Sequence, residues 1–102
     1  GANAPTTPAG DRVLNQRGIE VFPAILANAG GVTVSYFEWV QNKTCNFWSA
    51  EKVDADLNRH MVEAARRTND ARRKYKCDMR TAAYIVAINR VATVTRMRGM
   101  YA

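Results

Sequence analysis

The residues best suited to chemistry in this sequence surround two consecutive glycines, Gly30 and Gly31. Glycine has no Cβ, so the pair predicts a turn whose backbone takes positive φ or lies directly against a ligand. A helix is expected from about Val32, and its free N–H groups and positive dipole end form a binding site for a carboxylate or phosphate. Val32 and Ser35 are three residues apart on the first turn, so both side chains are expected to face the bound anion. The same pattern fits a glycine turn that leads into an ordinary core helix.

The chain before the glycine pair predicts a helix and then a short strand. Thr7 can cap a helix with Pro8 at its first position and Gly18 just past its end. Residues 19–22 alternate in polarity, as a strand does, and Pro23 stops the pattern. A helix followed by a strand is half of an α/β crossover unit, and its strand needs parallel neighbours. We therefore expect an α/β fold whose other strands belong to residues upstream of this sequence.

The chain after the glycine pair is predicted to be helical. Apolar residues recur at helical spacing in three segments, and Ser49 and Asp78 are placed to cap the second and third of them. Small residues in the last segment suit close packing against another helix. The three helices are expected over about residues 32–42, 49–75 and 79–98.

The composition is that of one small globular domain. The chain has 102 residues, 47% of them hydrophobic, which suits a single core. No apolar run approaches the roughly 20 residues that span a bilayer, so no membrane partner is expected.

Cys45 and Cys77 are isolated and lack a histidine at ligand spacing, which predicts reduced thiols in an intracellular protein and no metal site. The single histidine, His60, has no convergent carboxylate in sequence and is not expected to be catalytic.

A basic segment raises the possibility of nucleic-acid binding. Lys and Arg number 15 against 9 Asp and Glu, a formal net charge of +6. Basic stripes are the usual footprint of phosphate-binding surfaces, but basic residues in the last turns of a helix also complement its dipole. Glu63 and Asp70 interleave with the cations, and no aromatic platform accompanies them, so a solvated helix face is preferred. The cations are Arg66, Arg67, Arg72, Arg73, Lys74 and Lys76.

Four stretches of the chain carry a family signature. They are residues 1–8 (GANAPTTP), 28–42 (NAGGVTVSYFEWVQN), 77–84 (CDMRTAAY), and 89–92 (NRVA) with the later Arg98-Gly99. In this order and spacing they resemble the C-terminal portion of glutamate dehydrogenases, in the wider family acting on glutamate, leucine, phenylalanine and valine. The resemblance covers essentially the whole chain. Ala4 replaces a glycine of many relatives and Gly10 interrupts a usual acidic run, and neither changes the expected site.

The resemblance assigns roles to four residues. It implies that Asn3 and Asn28 contact the nicotinamide end of the cofactor, where an amide can both donate and accept hydrogen bonds. It implies that the Ser35 hydroxyl binds the side-chain carboxylate of glutamate, and that Val32 packs on the substrate's methylenes. A leucine or phenylalanine substrate has no use for that hydroxyl, so Ser35 indicates glutamate. Without the resemblance, a structural role explains the same residues. Asn3 and Asn28 would stabilise turns, and the Ser35 hydroxyl would hydrogen-bond to the backbone of its own helix.

The resemblance also implies a place in a larger enzyme. Residues 1–31 would end a Rossmann-like NAD(P)-binding domain, and residues 32–102 would form a helical C-terminal region that reaches back to an upstream substrate domain. The full enzyme, expected to be a cytoplasmic or mitochondrial-matrix homo-hexamer, would oxidise L-glutamate with NAD or NADP to 2-oxoglutarate and ammonia. The family's catalytic lysine and aspartate have no counterpart here. We therefore expect no catalytic residue in this segment and no activity from the isolated chain.

Two other classes of function remain open. The chain can be a stand-alone relative that lost its chemistry and serves as an interaction or assembly subunit. Hydrophobic surface left bare by absent strands would then need a partner to cover it. A small basic helical protein that binds nucleic acid is the less favoured alternative, and its binding would weaken steeply with added salt.

Overall fold

The computed structural model describes residues 1–99 of the chain and is built from helices. Within those residues there is no β-strand. The last three residues of the predicted helical region, 32–102, lie outside the described part. The helices are α1 (Pro8–Gln16), α2 (Ala24–Ala27), α3 (Ala29–Thr44), α4 (Ala50–Tyr75) and α5 (Met79–Arg98).

The α/β prediction is wrong for this chain, because residues 19–22 form no strand. Alternating polarity does not make a strand by itself, since ladder hydrogen bonds need a second strand and the described chain supplies none. The Ile19 N–H instead donates to the Leu14 carbonyl at 3.0 Å, which closes the end of α1. Pro23 then becomes the N-cap of α2. The expected Rossmann-like strand is therefore absent from residues 1–99.

The helix ends predicted from capping residues are confirmed. The Thr7 hydroxyl accepts from the Gly10 N–H at 3.1 Å, with Pro8 at the start of α1. The Ser49 hydroxyl accepts from the Lys52 N–H at 3.3 Å at the start of α4. Each cap satisfies a backbone donor that the first turn of a helix leaves free.

The core lies mainly between α4 and α5, the helix pair with the most extensive contact. Small residues meet there, with Ala82 fully buried and Ala71 and Ala83 each 8% exposed. Thr68 is also buried, and its hydroxyl donates to the Ala64 carbonyl at 2.9 Å, so this buried polar group has a hydrogen-bond partner. Small side chains let the two helix backbones approach closely, as the small-residue pattern of α5 predicts.

Helix α3 packs on α4 through one buried aromatic residue. Phe37 is 4% exposed, and its ring lies 5.6 Å from the rings of both Trp48 and His60. The only histidine of the described chain therefore serves as a packing partner for an aromatic ring. Among residues 1–99, no helix is long and apolar enough to cross a membrane.

Candidate functional site

Residues far apart in sequence line a cavity of about 290 Å³ between the N-terminal segment, the α2 region and α5. Asn3 and Asn28 supply amide groups to its lining, Arg80 supplies a guanidinium group, and Phe22 and Tyr84 supply aromatic rings. The cavity therefore combines hydrogen-bonding groups with flat apolar surface. That combination is typical of sites for small organic molecules.

Asn3 and Asn28 are in direct contact at this cavity. The Asn28 Nδ2 donates to Asn3 Oδ1 at 2.6 Å, across 25 residues of sequence. Asn28 stands between α2 and α3, and its side chain does not cap α3, which leaves its amide available. Among the hydrogen bonds of residues 1–99, none uses the Asn28 Oδ1 or the Asn3 Nδ2. The pair thus offers one acceptor and one donor at the cavity, and a primary carboxamide has the complementary groups.

The segment that carries Asn3 has an unusual backbone next to it. Ala4 has φ +46°, in the left-handed region that favours glycine. A side chain at this position costs free energy, which a glycine would not incur. The chain bends at residues 3 and 4, and Asn3 and Asn28 line the same cavity.

The predicted glycine turn is wrong, because Gly30 and Gly31 lie inside the first turn of α3. Neither has positive φ. A Cβ on Gly30 would lie 4.0 Å from Leu57 Cδ1, and a Cβ on Gly31 would meet nothing, so neither glycine is sterically required. Because α3 begins at Ala29, Ser35 stands in its second turn, away from the free N–H groups of the helix start.

Val32 and Ser35 lie outside the cavity but on the same stripe of α3 as Asn28. The three residues are spaced i, i+4 and i+7, which places them along one helix face. Val32 is 69% exposed and Ser35 is also exposed. Seven residues of helix cover about 10 Å, so Asn28 and Ser35 bound a strip of roughly that length. The structure thus brings Asn3 into contact with Asn28, whereas Val32 and Ser35 lie on the exposed surface of α3.

Sequence reasoning gave no role to two residues of this site, Arg80 and Tyr84. Both belong to the segment 77–84 that carries part of the family signature, and both line the cavity. Their i, i+4 spacing on a helix was the available signal, since it puts both side chains on one face. Nothing in the sequence indicated that this face meets the N-terminal segment.

The start of α5 is fixed by Asp78. Its carboxylate accepts from the Thr81 N–H at 2.9 Å and from the Thr81 hydroxyl at 2.7 Å. Partial burial tends to raise the pKa of Asp78, but hydrogen bonds from Thr81 and from the backbone N–H groups of Asp78 and Arg80 together outweigh it, so the pKa lies below its ordinary value. The carboxylate therefore stays ionised and holds the helix end that presents Arg80.

The thiol and acidic groups of residues 1–99 form no cluster that could hold a metal ion. Cys45 and Cys77 are free thiols, and no group of three or more His, Cys, Asp or Glu in residues 1–99 has metal-binding geometry. In the basic segment, Arg67 pairs with Glu63 and Arg72 with Glu20. These pairs neutralise part of the charge that suggested a phosphate-binding surface.

The class of protein follows from a family profile. The profile of the glutamate/leucine/phenylalanine/valine dehydrogenases matches residues 1–99, and the chain belongs to this family.

Within the family, the similar proteins are glutamate dehydrogenases. The chain is 55% identical over 101 residues to the glutamate dehydrogenase of Thermotoga maritima, covering 99% of this chain and 24% of that protein. It is 50% identical to an NADP-specific glutamate dehydrogenase of Synechocystis, over 96% of this chain and 23% of that one. It is 49% identical to an NAD-specific glutamate dehydrogenase of Staphylococcus aureus, over 96% of this chain and 24% of that one.

A solved structure agrees with the sequence relatives. The crystal structure of glutamate dehydrogenase from Peptoniphilus asaccharolyticus superposes with a TM-score of 0.89 at 41% identity. It matches 98% of this chain, which covers 25% of that one. The chain therefore spans about a quarter of the length of its relatives. The resemblance that the sequence motifs indicated is confirmed.

Proposed function

We propose that this chain is a segment of an NAD(P)-dependent glutamate dehydrogenase, in which it positions the nicotinamide and the side-chain carboxylate of glutamate. The observation that carries the proposal is the contact of Asn28 with Asn3 at the lined cavity. The paired amides keep one free acceptor and one free donor. A nicotinamide carboxamide has one donor group and one acceptor group, so it complements this pair.

The stripe along α3 supports the assignment of substrate contacts. Asn28 at one end would hold the cofactor, and Ser35, about 10 Å further along the helix, would donate to the substrate's side-chain carboxylate. Val32 lies between them and is exposed, so its methyl groups are free to pack on the methylenes of glutamate. The order of contacts along the helix would then set the substrate Cα near the nicotinamide.

In this proposal the chain contributes orientation. A bound nicotinamide would supply the chemistry by accepting a hydride from the substrate Cα as the amino group loses a proton, and water would then release ammonia to give 2-oxoglutarate. Fixing the two reacting partners in one geometry is a large part of the acceleration of such a transfer. The base and lysine of the reaction would come from the rest of the polypeptide, so the isolated chain should have no turnover.

Exposed apolar surface supports association with further protein. Helices α3 and α5 carry large apolar side chains that are 55–82% exposed, namely Tyr36, Trp39, Ile88, Val91 and Met97. Surfaces of this kind mark interfaces. We propose that the remainder of the enzyme covers them, in a cytoplasmic or mitochondrial homo-hexamer that uses NAD or NADP.

A chimera tests the proposal directly. This chain replaces its matching 101 residues in the Thermotoga maritima enzyme, where 55% of the positions are already identical. The expected result is glutamate-dependent reduction of NAD⁺ or NADP⁺ by the chimera and none by the isolated chain. A folded hexameric chimera without turnover would refute the proposal, as would turnover by the isolated chain.

The same exposed side chains favour a second candidate, a stand-alone relative that acts as an assembly subunit. The native mass of the protein in its source separates the two. A stable particle that contains only this 11.4 kDa chain, or copies of it, would favour the assembly subunit. A longer polypeptide with the expected activity would exclude it.

A further inference from the structure

The loop that presents Asn3 has few attachments to the rest of the molecule. Residues 1–6 make no backbone-to-backbone hydrogen bond within the described chain. Two side-chain hydrogen bonds tie them to distant residues: the one between Asn28 and Asn3, and one from Arg80 to Thr6. In the proposed function, Asn28 itself binds the cofactor. Within the described chain, the Arg80 contact is therefore the polar anchor of this loop that comes from outside the amide pair.

Arg80 reaches the loop from the first turn of α5. Its Nη1 donates to the Thr6 carbonyl at 3.3 Å, across 74 residues of sequence, and lies 3.7 Å from Asp11 Oδ2 in α1. The Arg80 side chain is 32% exposed and that of Asp11 18%, so solvent screens the ion pair only in part. A single nitrogen of the guanidinium group therefore contacts both the loop and the adjoining helix.

We propose that Arg80 is a positioning residue for the cofactor site and acts through Asn3. It ties the carbonyl three residues after Asn3 to α5, a helix that is buried against α4 through Ala82 and Ala83. The rigid helix pair thereby sets the position of an otherwise weakly held loop. The inference rests on the proposed function, because it assumes that Asn3 contacts the cofactor.

The experiment uses the complete enzyme that contains this segment, or the active chimera, and begins with three single variants. Arg80→Ala should raise the KM for NAD(P) roughly tenfold, the value of one lost hydrogen bond from a charged donor, while the KM for glutamate stays within about twofold. Arg80→Lys keeps the charge and should recover part of the loss. Arg72→Ala is the matched control, because it breaks a comparable long-range contact, to Glu20, outside the loop. It should leave the cofactor KM unchanged.

A double-mutant cycle with Asn3→Ala distinguishes positioning from general stability. If Arg80 acts through Asn3, then Arg80→Ala should change the cofactor KM little in the Asn3→Ala background. Additive effects would overturn the inference, and so would an unchanged cofactor KM in Arg80→Ala. An equal effect of Arg72→Ala would also overturn it. If Arg80→Ala does not fold, the cycle is run with Arg80→Lys, and the same outcomes decide.

If the proposed function itself is wrong, the experiments give a different result from the one expected when only the role of Arg80 is wrong. A wild-type enzyme that neither turns over glutamate nor binds NAD(P) would refute the proposed function, and the role of Arg80 with it. An active wild type whose Arg80 variants keep normal cofactor KM values would refute the role of Arg80 alone.

Discussion

Replacing Asn28 by alanine is the sharpest test of the site. Asn28 has φ −92° and ψ 1°, a conformation open to alanine, and its side chain caps neither neighbouring helix. The substitution therefore removes the amide group and leaves the backbone in place. What it breaks is the 2.6 Å hydrogen bond to Asn3 and, in the proposed function, a bond to the nicotinamide carboxamide.

The expected loss follows from those two bonds. Each neutral hydrogen bond contributes a net 0.5–1.5 kcal/mol, so removal of both should cost about 2 kcal/mol of cofactor interaction. That corresponds to a fall of roughly 30-fold in kcat/KM for NAD(P). Stability should change by less than about 1 kcal/mol, because the bond between Asn3 and Asn28 is solvent-exposed.

The assay is steady-state kinetics of the chimera with varied cofactor at saturating glutamate, paired with its melting temperature. Asn58→Ala is the matched control, because Asn58 is an exposed asparagine of α4 that does not line the cavity. It should leave kcat/KM within about twofold. The reasoning is refuted if Asn28→Ala keeps wild-type kcat/KM for the cofactor, or if its loss merely follows a large fall in melting temperature.

Three further changes test other parts of the structure. Ser35→Ala should raise the KM for glutamate roughly tenfold and leave the KM for NAD(P) unchanged, since it removes one hydroxyl donor to a carboxylate; an equal change in both constants would contradict the assignment. Ala82→Leu should lower stability by about 1–3 kcal/mol, read as a lower melting temperature, because Ala82 is 0% exposed between α4 and α5. Asp78→Ala should cost about 1 kcal/mol at neutral pH through loss of the α5 cap. Since the pKa of Asp78 is lowered on folding, the advantage of wild type over this variant should be constant above about pH 4 and disappear as the pH falls through the folded-state pKa.

Local features of the fold could be read from the sequence because their causes are local. The N-caps at Thr7, Ser49 and Asp78 each need a short oxygen-bearing side chain and a backbone N–H three residues later. Both partners lie within one helical turn, so no distant residue decides the outcome. The span of α5, Met79–Arg98, matches the predicted one for the same reason.

Two errors came from features whose outcome depends on distant partners or neighbouring segments. Residues 19–22 have the polarity pattern of a strand, but pairing needs another strand, and residues 1–99 contain none. The Gly30-Gly31 pair permits a turn without requiring one, and α2 leads through Asn28 directly into α3, so the glycines continue as helix. Glycine allows several backbone conformations, and the neighbouring segments determine which one it adopts.

By itself the sequence determined the helix caps, the helical C-terminal half and, through its motifs, the family and the residue types suited to nicotinamide and glutamate. Only the tertiary structure decided which of those residues meet. Asn3 and Asn28 are 25 residues apart and Arg80 and Thr6 are 74 apart, separations at which no periodic pattern links one position to another. The Arg80 contact arises because α5 packs on α4 through alanines and presents Arg80 to the N-terminal loop. Such long-range contacts depend on the packing of whole helices, which the spacing of neighbouring residues does not encode.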